Sequence, residues 1–587
     1  MLMECAHCGL PVGGGVWRDG RGYCCYGCYL ASRIVGVSVD GESGAAWGVL
    51  RLAVGAMLSM TVMMTALLLY TGSVEGHLVS VFRWVMLVQA VPATVLLAWP
   101  FVLGGVEELR RGRLSLDALV AVGSLTAMGV SVVATVRGVG HVYFDTATML
   151  LTLVTLGKLI EASAKTLAGQ WLDALERLLP SRATRLRDDD QSESVPCCDL
   201  RTGDRLLVAL GEPFPADGDL LAGRSVVEEA AFTGEWRPRD VGPGGSVIAG
   251  TIHGGSGAVT MRVRAVEGDL LLRRIVERVR QAQRQPGRVE RLARRAAAWL
   301  TPCVFLLAVG AGAAWLAVGD PVRAGRAALA VLVVACPCAM GIAAPLATAL
   351  AISRAAATGA IVRGGDVLES LGLLGHVFFD KTGTLTLGRP ADTAHAHDQP
   401  RPDALAVVAE LGRMGIAVSL LSGDTAGASA DMARRLGIRD VHAPKRPDEK
   451  ADLIATARSA RRDVAVAMVG DGINDAPALA QADVGVALSD ASDLARHAGD
   501  VLLLNARLAT LPHLIRLARR TRRVIRQNLA WAIAYNTVAL ATAAAGLLHP
   551  LLAAVLMAIS CLTVVGNSFR VKANDAQTWE RGTAPRR

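Results

Sequence analysis

Long apolar runs separated by two polar blocks dominate the pattern of this 587-residue chain. Eight runs are candidates for membrane-crossing helices: residues 47–70, 79–103, 116–136, 142–160, 296–318, 327–352, 529–548 and 551–569. Each comes near the roughly 20 residues that a helix needs to cross the hydrocarbon layer. The polar blocks, 161–295 and 353–528, follow the fourth and sixth runs. The first block is rich in Val, Gly and turn residues and predicts a mostly β domain. In the second, the apolar stretches 376–379, 416–421 and 464–469 predict the buried parallel strands of an α/β domain. The second apolar run carries Pro92 and Pro100 and ends at Gly104-Gly105, a double glycine that predicts a break in the helix. Arg110, Arg111 and Arg113 follow it and put that end on the cytoplasmic side. The two polar blocks then lie on that side too. An even number of spans places both termini there.

Composition sharpens this reading. Apolar residues make up 52% of the chain, charged ones 19%, and mean hydropathy is +0.38. That is too apolar for a soluble enzyme of this size and fits a membrane protein with soluble insertions. The net charge of +9 then belongs to a basic cytoplasmic face, with no nucleic-acid partner expected. The amino-terminal stretch is polar and Cys-rich, so no cleavable signal peptide is expected.

Five of the eleven cysteines fall at Cys5, Cys8, Cys24, Cys25 and Cys28. Close pairs of thiols at this spacing point to a thiolate metal site rather than disulfides. Zinc fits a closed tetrahedral site, and copper(I) suits the same soft donors. A second thiol pair, Cys336-Pro337-Cys338, lies inside the sixth apolar run. Pro there opens the helix, and two thiols at membrane depth suit a cation path.

The candidate chemistry centres on Asp380-Lys381-Thr382-Gly383-Thr384-Leu385-Thr386. Asp380 ends an apolar strand, which is where ligands of doubly wound sheets bind. Gly383 lets the backbone turn closely around a phosphate, with three hydroxyls in reach. Ser422-Gly423-Asp424 ends the run 416–421, Lys450 lies in 447–450, and the stretch Gly470 to Pro477 ends the run 464–469.

The Asp380 heptapeptide resembles that of the P-type ATPases, whose phosphorylated Asp stands in this motif. The resemblance implies a multi-domain membrane protein: an eight-helix transmembrane bundle, a β-rich actuator domain and an α/β haloacid-dehalogenase-like phosphorylation domain. The boundaries it suggests are 1–40 (Cys-rich metal-binding domain), 46–160 (helices 1–4), 161–295 (actuator), 296–352 (helices 5–6), 353–528 (phosphorylation domain), 529–570 (helices 7–8) and 571–587 (tail). It also implies that Asp380 takes the γ-phosphoryl group of ATP. Asp380, Thr382 and Asp471 would hold magnesium, and Thr384, Ser422 and Lys450 the phosphate oxygens. Asn474 and Asp475 would orient the loop, while Lys381, Gly423 and Asp424 belong to the same motifs. Thr233-Gly234-Glu235 resembles the actuator loop, in which Glu235 positions water to hydrolyse the aspartyl-phosphate.

Cys336 and Cys338, with Tyr535-Asn536 on the seventh run and Met557 and Ser560 on the eighth, resemble the ion ligands of copper(I) pumps. The Lys and Asp that zinc-type relatives carry in the last two spans do not occur here. Soft donors without a carboxylate suit copper(I). The amino-terminal segment resembles a small Cys-rich domain of pumps associated with supplying copper to haem–copper oxidases. A copper chaperone or oxidase-assembly proteins are thereby implied as partners, and a bacterial inner or plasma membrane as location.

The chain departs from the family in several places. The nucleotide-binding insertion of roughly a hundred residues, a domain-sized piece, is missing near 391–401, and no Ser-Glu-His-Pro motif occurs. Arg294 stands where copper pumps show an acidic residue, although Glu161 is retained as a candidate entry ligand. In the actuator motif Trp236 replaces a common Ser, and beside Ser560 so does Cys561. The expected function is ATP-driven translocation of copper(I) through an aspartyl-phosphate. The alternatives are an impaired pump homologue acting as a copper-binding or assembly protein, and a phosphatase-like enzyme without transport.

Overall fold

The computed structural model describes the chain outside residues 1–15, 19–20, 24–42, 71–75, 111–115, 160–178, 188–190, 229–238, 256, 267–268, 335–337, 387–398, 461–462, 471–474, 489–498, 505–506 and 573–587. The chain divides into two compact units. One comprises residues 1–168, 289–347 and 524–570, the other 169–288, 348–523 and 571–587.

The first unit is helical. Among the described residues, four segments are long and apolar enough to cross a membrane: Leu50–Leu69, Leu78–Glu107, Asp117–Arg137 and Pro550–Phe569. Pro302–Ala317 and Ala343–Ala357 are shorter apolar helices, and residues 144–159 are helical. Phe101, Leu151, Val331, Ala543 and Met557 belong to one buried cluster. Met60, Val88, Trp99 and Val538 are exposed on the outside. Helices that are apolar both inward and outward are those of a membrane bundle.

Two helices differ from the sequence-based expectation. The second runs unbroken as Gly76–Arg110, through Pro92, Pro100 and the double glycine. The glycines permit contact there and do not end the helix. A Cβ on Gly105 would lie 2.8 Å from Ala118 Cα in the next helix, and one on Gly104 would lie 3.0 Å from the Asp117 carboxylate. Small residues let membrane helices approach backbone to backbone. On either side of residues 335–337, which lie outside the described residues with Cys336 and Pro337, the sixth apolar run forms the helices Pro321–Val334 and Cys338–Ala357. The seventh begins far earlier, in the helix Thr510–Ala544. Leu511, Leu514, Ile515 and Ala518 are buried at helical spacing. This face carries the helix out of the apolar run and into the polar block.

The second unit holds two β structures. In the segment 182–265 a six-stranded antiparallel sheet has the order Ser192–Pro196, Arg182–Leu186, Arg205–Val208, Val259–Ala265, Asp217–Ala222, Ser246–Val247. A three-stranded sheet, Ile252–Gly255, Ser225–Glu228, Arg239–Val241, accompanies it. Leu206, Phe214, Leu220 and Met261 are fully or almost fully buried in its core. Asp217 ties the domain together: its carboxylate accepts from Ala249 N (2.8 Å) and from Leu271 N (2.7 Å), at the start of the helix Leu271–Arg284.

The other β structure is a seven-stranded sheet in the order Ala360–Val362, Val501–Leu503, Val484–Leu488, Ala465–Gly470, Leu374–Asp380, Ala417–Leu421, Asp440–His442. All neighbours are parallel except the first pair. Every residue of Ala465–Gly470 and Val484–Leu488 is buried, as expected of strands covered on both faces. From Leu374–Asp380 the chain builds first toward Asp440–His442 and then, from the other side, toward Val501–Leu503. Strand order therefore reverses between Leu374–Asp380 and Ala465–Gly470, and ligands of such sheets bind outside the strand ends at that switch.

Candidate active site

Asp380 is the last residue of its strand and pairs with Leu421 of the neighbouring strand. The chain turns sharply over residues 381–385, and Gly383 takes φ = 75°, a left-handed conformation that favours glycine. Asp380 is buried at 6% exposure, and its Oδ2 accepts from Thr382 N at 3.0 Å. Lys450, on the helix Pro447–Ala460, places Nζ 2.5 Å from Asp380 Oδ1 and 2.8 Å from Asp475 Oδ1. All three side chains are buried. Burial works against the Lys450 charge, but the attraction of Asp380 and then Asp475 outweighs it and holds the ammonium above the ordinary lysine range.

Around this triad the strand ends converge as the motifs suggested. Lys381 is buried and pairs with Asp424 at 2.7 Å. Ser422 is buried, and its Oγ accepts from Asp424 N at 3.1 Å. Gly423 lies between them. Thr386 Oγ1 accepts from Gly383 N and donates to Lys381 O, each at 3.2 Å, which closes the turn. Thr384 is fully buried, and its hydroxyl oxygen makes no hydrogen bond. A buried orphan hydroxyl costs about 1–3 kcal/mol. Thr384 follows Asp380 by four positions; a carboxylate is the kind of hard oxygen ligand that magnesium takes, and a hydroxyl can donate to a phosphate oxygen. Asp471 and Asn474 lie outside the described residues, between Gly470 and Asp475.

Sequence reasoning did not single out Arg401. It treated 391–401 as the stretch where an insertion is missing. Thr386 forms an antiparallel bridge with Pro400, and Arg401 N donates to Leu385 O at 2.8 Å. The Arg401 side chain is buried, with Nη2 2.6 Å from Gly383 O. The only signal was a long cation directly after the apparent gap. Thr233, Gly234 and Glu235 lie outside the described residues, as does Glu161; the strands that flank the first three, Ser225–Glu228 and Arg239–Val241, pair with each other.

In the membrane bundle, Met557 and Ser560 are buried one helical turn apart on Pro550–Phe569. Ser560 Oγ accepts from Trp531 Nε1 at 3.2 Å. Tyr535 packs against the same cluster as Met557 and Val334. Asn536 is 5% exposed; neither of its amide atoms, nor the Tyr535 hydroxyl, makes a hydrogen bond. Cys338 opens the helix Cys338–Ala357. Cys336 and Cys5, Cys8, Cys24, Cys25 and Cys28 lie outside the described residues. A second group missed in the sequence is Asp145, fully buried near the start of the helix over 144–159 and within electrostatic reach of His549. Its signal was a carboxylate inside an apolar run, which marks a functional candidate in a membrane.

Comparison with known proteins bears on this geometry. Residues 177–280 match the family of P-type ATPase actuator domains, and residues 392–483 match the haloacid dehalogenase-like hydrolases. The probable copper-exporting P-type ATPase V of Mycobacterium tuberculosis (strain ATCC 25618 / H37Rv) is 32% identical over 83% of this chain and 77% of its own length. The copper-exporting P-type ATPase of Staphylococcus aureus (strain JH9) is 30% identical over 89% of this chain and 79% of its own. A crystal structure of a zinc-transporting PIB-type ATPase in the E2·Pi state is 24% identical, covering 88% of this chain and 100% of that one with a TM-score of 0.49. A buried aspartate at the switch point of one sheet, an actuator domain and an apolar helical bundle thus occur together in one chain, and that chain, an integral membrane protein, belongs to the heavy-metal P-type ATPases.

Proposed function

We propose that the chain translocates copper(I) across the membrane, driven by ATP through an aspartyl-phosphate on Asp380. The observation that carries this reading is the Asp380–Lys450–Asp475 triad beside the orphan hydroxyl of Thr384. Asp380 is the nucleophile: its carboxylate attacks the γ-phosphorus, the bond to the ADP oxygen breaks, and ADP leaves. Lys450 neutralises charge that builds on the transferred group, and Thr384 and Ser422 donate to its oxygens. Such fixed donors account for much of phosphoryl-transfer catalysis. Lys381 is held by Asp424, which keeps the turn in place. Asp380, Thr382 and Asp471 would hold magnesium, which when bound neutralises phosphate charge. Glu235 then orients water to hydrolyse the aspartyl-phosphate.

The cargo follows from the membrane donors. Cys336, Cys338 and Met557, with Tyr535, Asn536 and Ser560 nearby, are soft or neutral groups, which favours copper(I) over zinc. The proposed architecture has eight spans with the boundaries given above, both termini cytoplasmic, and a separate metal module at 1–40 loaded with zinc or copper(I). The copper-exporting relatives support this reading by name. Labelling with radioactive inorganic phosphate in magnesium tests it. Wild type should give an acid-stable, hydroxylamine-sensitive phosphoenzyme; equal labelling of Asp380→Asn sinks the assignment.

A second reading is favoured by one observation. The bridge Thr386–Pro400 and the buried Arg401 close the point at which relatives of this kind insert a nucleotide-binding domain. Without an adenine clamp, capture of ATP weakens, and the chain would act as an impaired homologue that binds copper, or as a phosphatase on small phosphoesters. ATP turnover by the detergent-purified protein on addition of copper(I) decides between them.

A further inference from the structure

The actuator domain carries a feature that its fold does not require. A single helical turn, Cys197–Asp199, joins the strand Ser192–Pro196 to the segment before Arg205–Val208. Cys197 N donates to Ser181 O at 3.1 Å, which fixes the turn against the sheet. Cys197 is half-buried against the domain core, whereas Cys198 is exposed and places Sγ 3.8 Å from Asp199 Oδ1. Neither is in a disulfide. Both cysteines line one cleft of about 480 Å³, together with Leu179, Ala216, Leu270 and Arg273.

Packing explains Cys197 alone, as a small hydrophobe against the core. It does not explain an exposed neighbour that opens into the same cleft. An exposed thiol is a chemical liability unless it is used. Two adjacent thiols on an anchored turn are two soft donors at the edge of one cleft; soft thiolates bind copper(I) and zinc alike, and a set of only two, short of the four ligands of a closed zinc site, favours copper(I). The cleft is far larger than a single ion, so a carrier of the ion can reach the pair.

We propose that Cys197 and Cys198 form a thiolate site on the actuator domain, distinct from the membrane path, that binds one copper(I) with loss of two thiol protons. The site rests on the chemistry of this pair and the cleft, and it stands or falls separately from the transport reading.

The experiment uses the full chain with the other nine cysteines replaced by Ser, loaded with copper(I) and desalted against a competing copper(I) chelator. The expected result is one retained copper per chain with a sulfur first shell in X-ray absorption, and loss of that copper when C197S and C198S are added. As a second measurement, the otherwise wild-type chain carrying C198S alone, at the exposed position, should bind one copper(I) fewer than wild type at an unchanged melting temperature. No retained copper in the first chain, no difference on adding the two substitutions, or tighter retention of zinc than of copper(I) overturns the proposal.

Discussion

In the pocket around Asp380, buried charges face opposite charges: Lys450 lies between Asp380 and Asp475, and Lys381 is held by Asp424. In the membrane bundle the Tyr535 hydroxyl and the Asn536 amide make no hydrogen bond, and Tyr535 packs against the cluster that holds the Met557 thioether. Both places are shielded from water, but they handle polarity in opposite ways. The first is fixed by ion pairs, with one ammonium shared by two carboxylates, an arrangement that would need little reorganisation in the proposed phosphoryl transfer. The second keeps neutral groups unsatisfied at a depth where an orphan polar group is expensive. A site of that kind gains most from an ion that brings charge but needs little hydration. On this view the soluble site pays for order with counter-charges and the membrane site with unused hydrogen bonds.

The comparison breaks most sharply at Asp380. Asp380→Asn should reduce hydroxylamine-sensitive phosphate labelling to background, while copper(I) bound in the membrane stays. Lys450→Met comes next. It leaves two buried carboxylates facing one another, and breaking a buried pair in this way costs about 3–5 kcal/mol. Labelling should fall by about 10²–10³-fold, as when one fixed donor is removed from a charged transition state. Thermal melting and labelling of Lys450→Met, with and without Asp475→Asn, separate the two effects: the second change should recover stability but not labelling. Because the folded-state pKa of Lys450 is raised, its stabilisation is fully present below the ordinary value of 10.5 and is lost only as pH rises above it. A labelling profile that loses the Lys450 contribution near neutral pH would contradict this.

Changes in the membrane pocket should sharpen the contrast by sparing phosphorylation. Cys336→Ser with Cys338→Ser should remove the sulfur-ligated copper seen by X-ray absorption on protein lacking residues 1–40, and leave labelling of Asp380 from inorganic phosphate in place. A nitrogen and oxygen first shell in the parent protein rules out the soft-donor reading. Arg401→Gln is a smaller change. It removes the side-chain bond to Gly383 O and should cost about 1–3 kcal/mol, read as a lower melting temperature with labelling reduced several-fold. An unchanged melting temperature would mean that the bond at the gap contributes nothing. The smallest effect is expected from deleting residues 1–40. Maximal labelling should stay the same, and loss of labelling would show that this segment is no separate module.

Much of the candidate site around Asp380 was legible in the sequence because its parts are short and local. Asp380 follows an apolar run, Ser422 and Gly470 end others, and strands that are buried on both faces read as continuous hydrophobic stretches. Arg401 was not legible, since its role depends on a bond to Gly383 across the apparent gap. The break expected at Gly104-Gly105 did not occur. Its absence follows from the approach of Ala118 in a separate helix, and local propensity carries no record of such a neighbour. The early start of the helix Thr510–Ala544 was missed for a different reason. Hydropathy averages over all sides of a helix, whereas Leu511, Leu514, Ile515 and Ala518 mark one face.

By itself the sequence determined which residues could do chemistry here and where apolar segments alternate with soluble blocks, since residue type and period are local properties of the chain. The tertiary structure alone decided which of those residues meet. It reversed the strand order beside Asp380, set Lys450 between two carboxylates seventy and twenty-five positions away, and left the Thr384 hydroxyl and the Asn536 amide buried without partners. Charge pairing and desolvation depend on distances through space, and those exist only once the chain has packed.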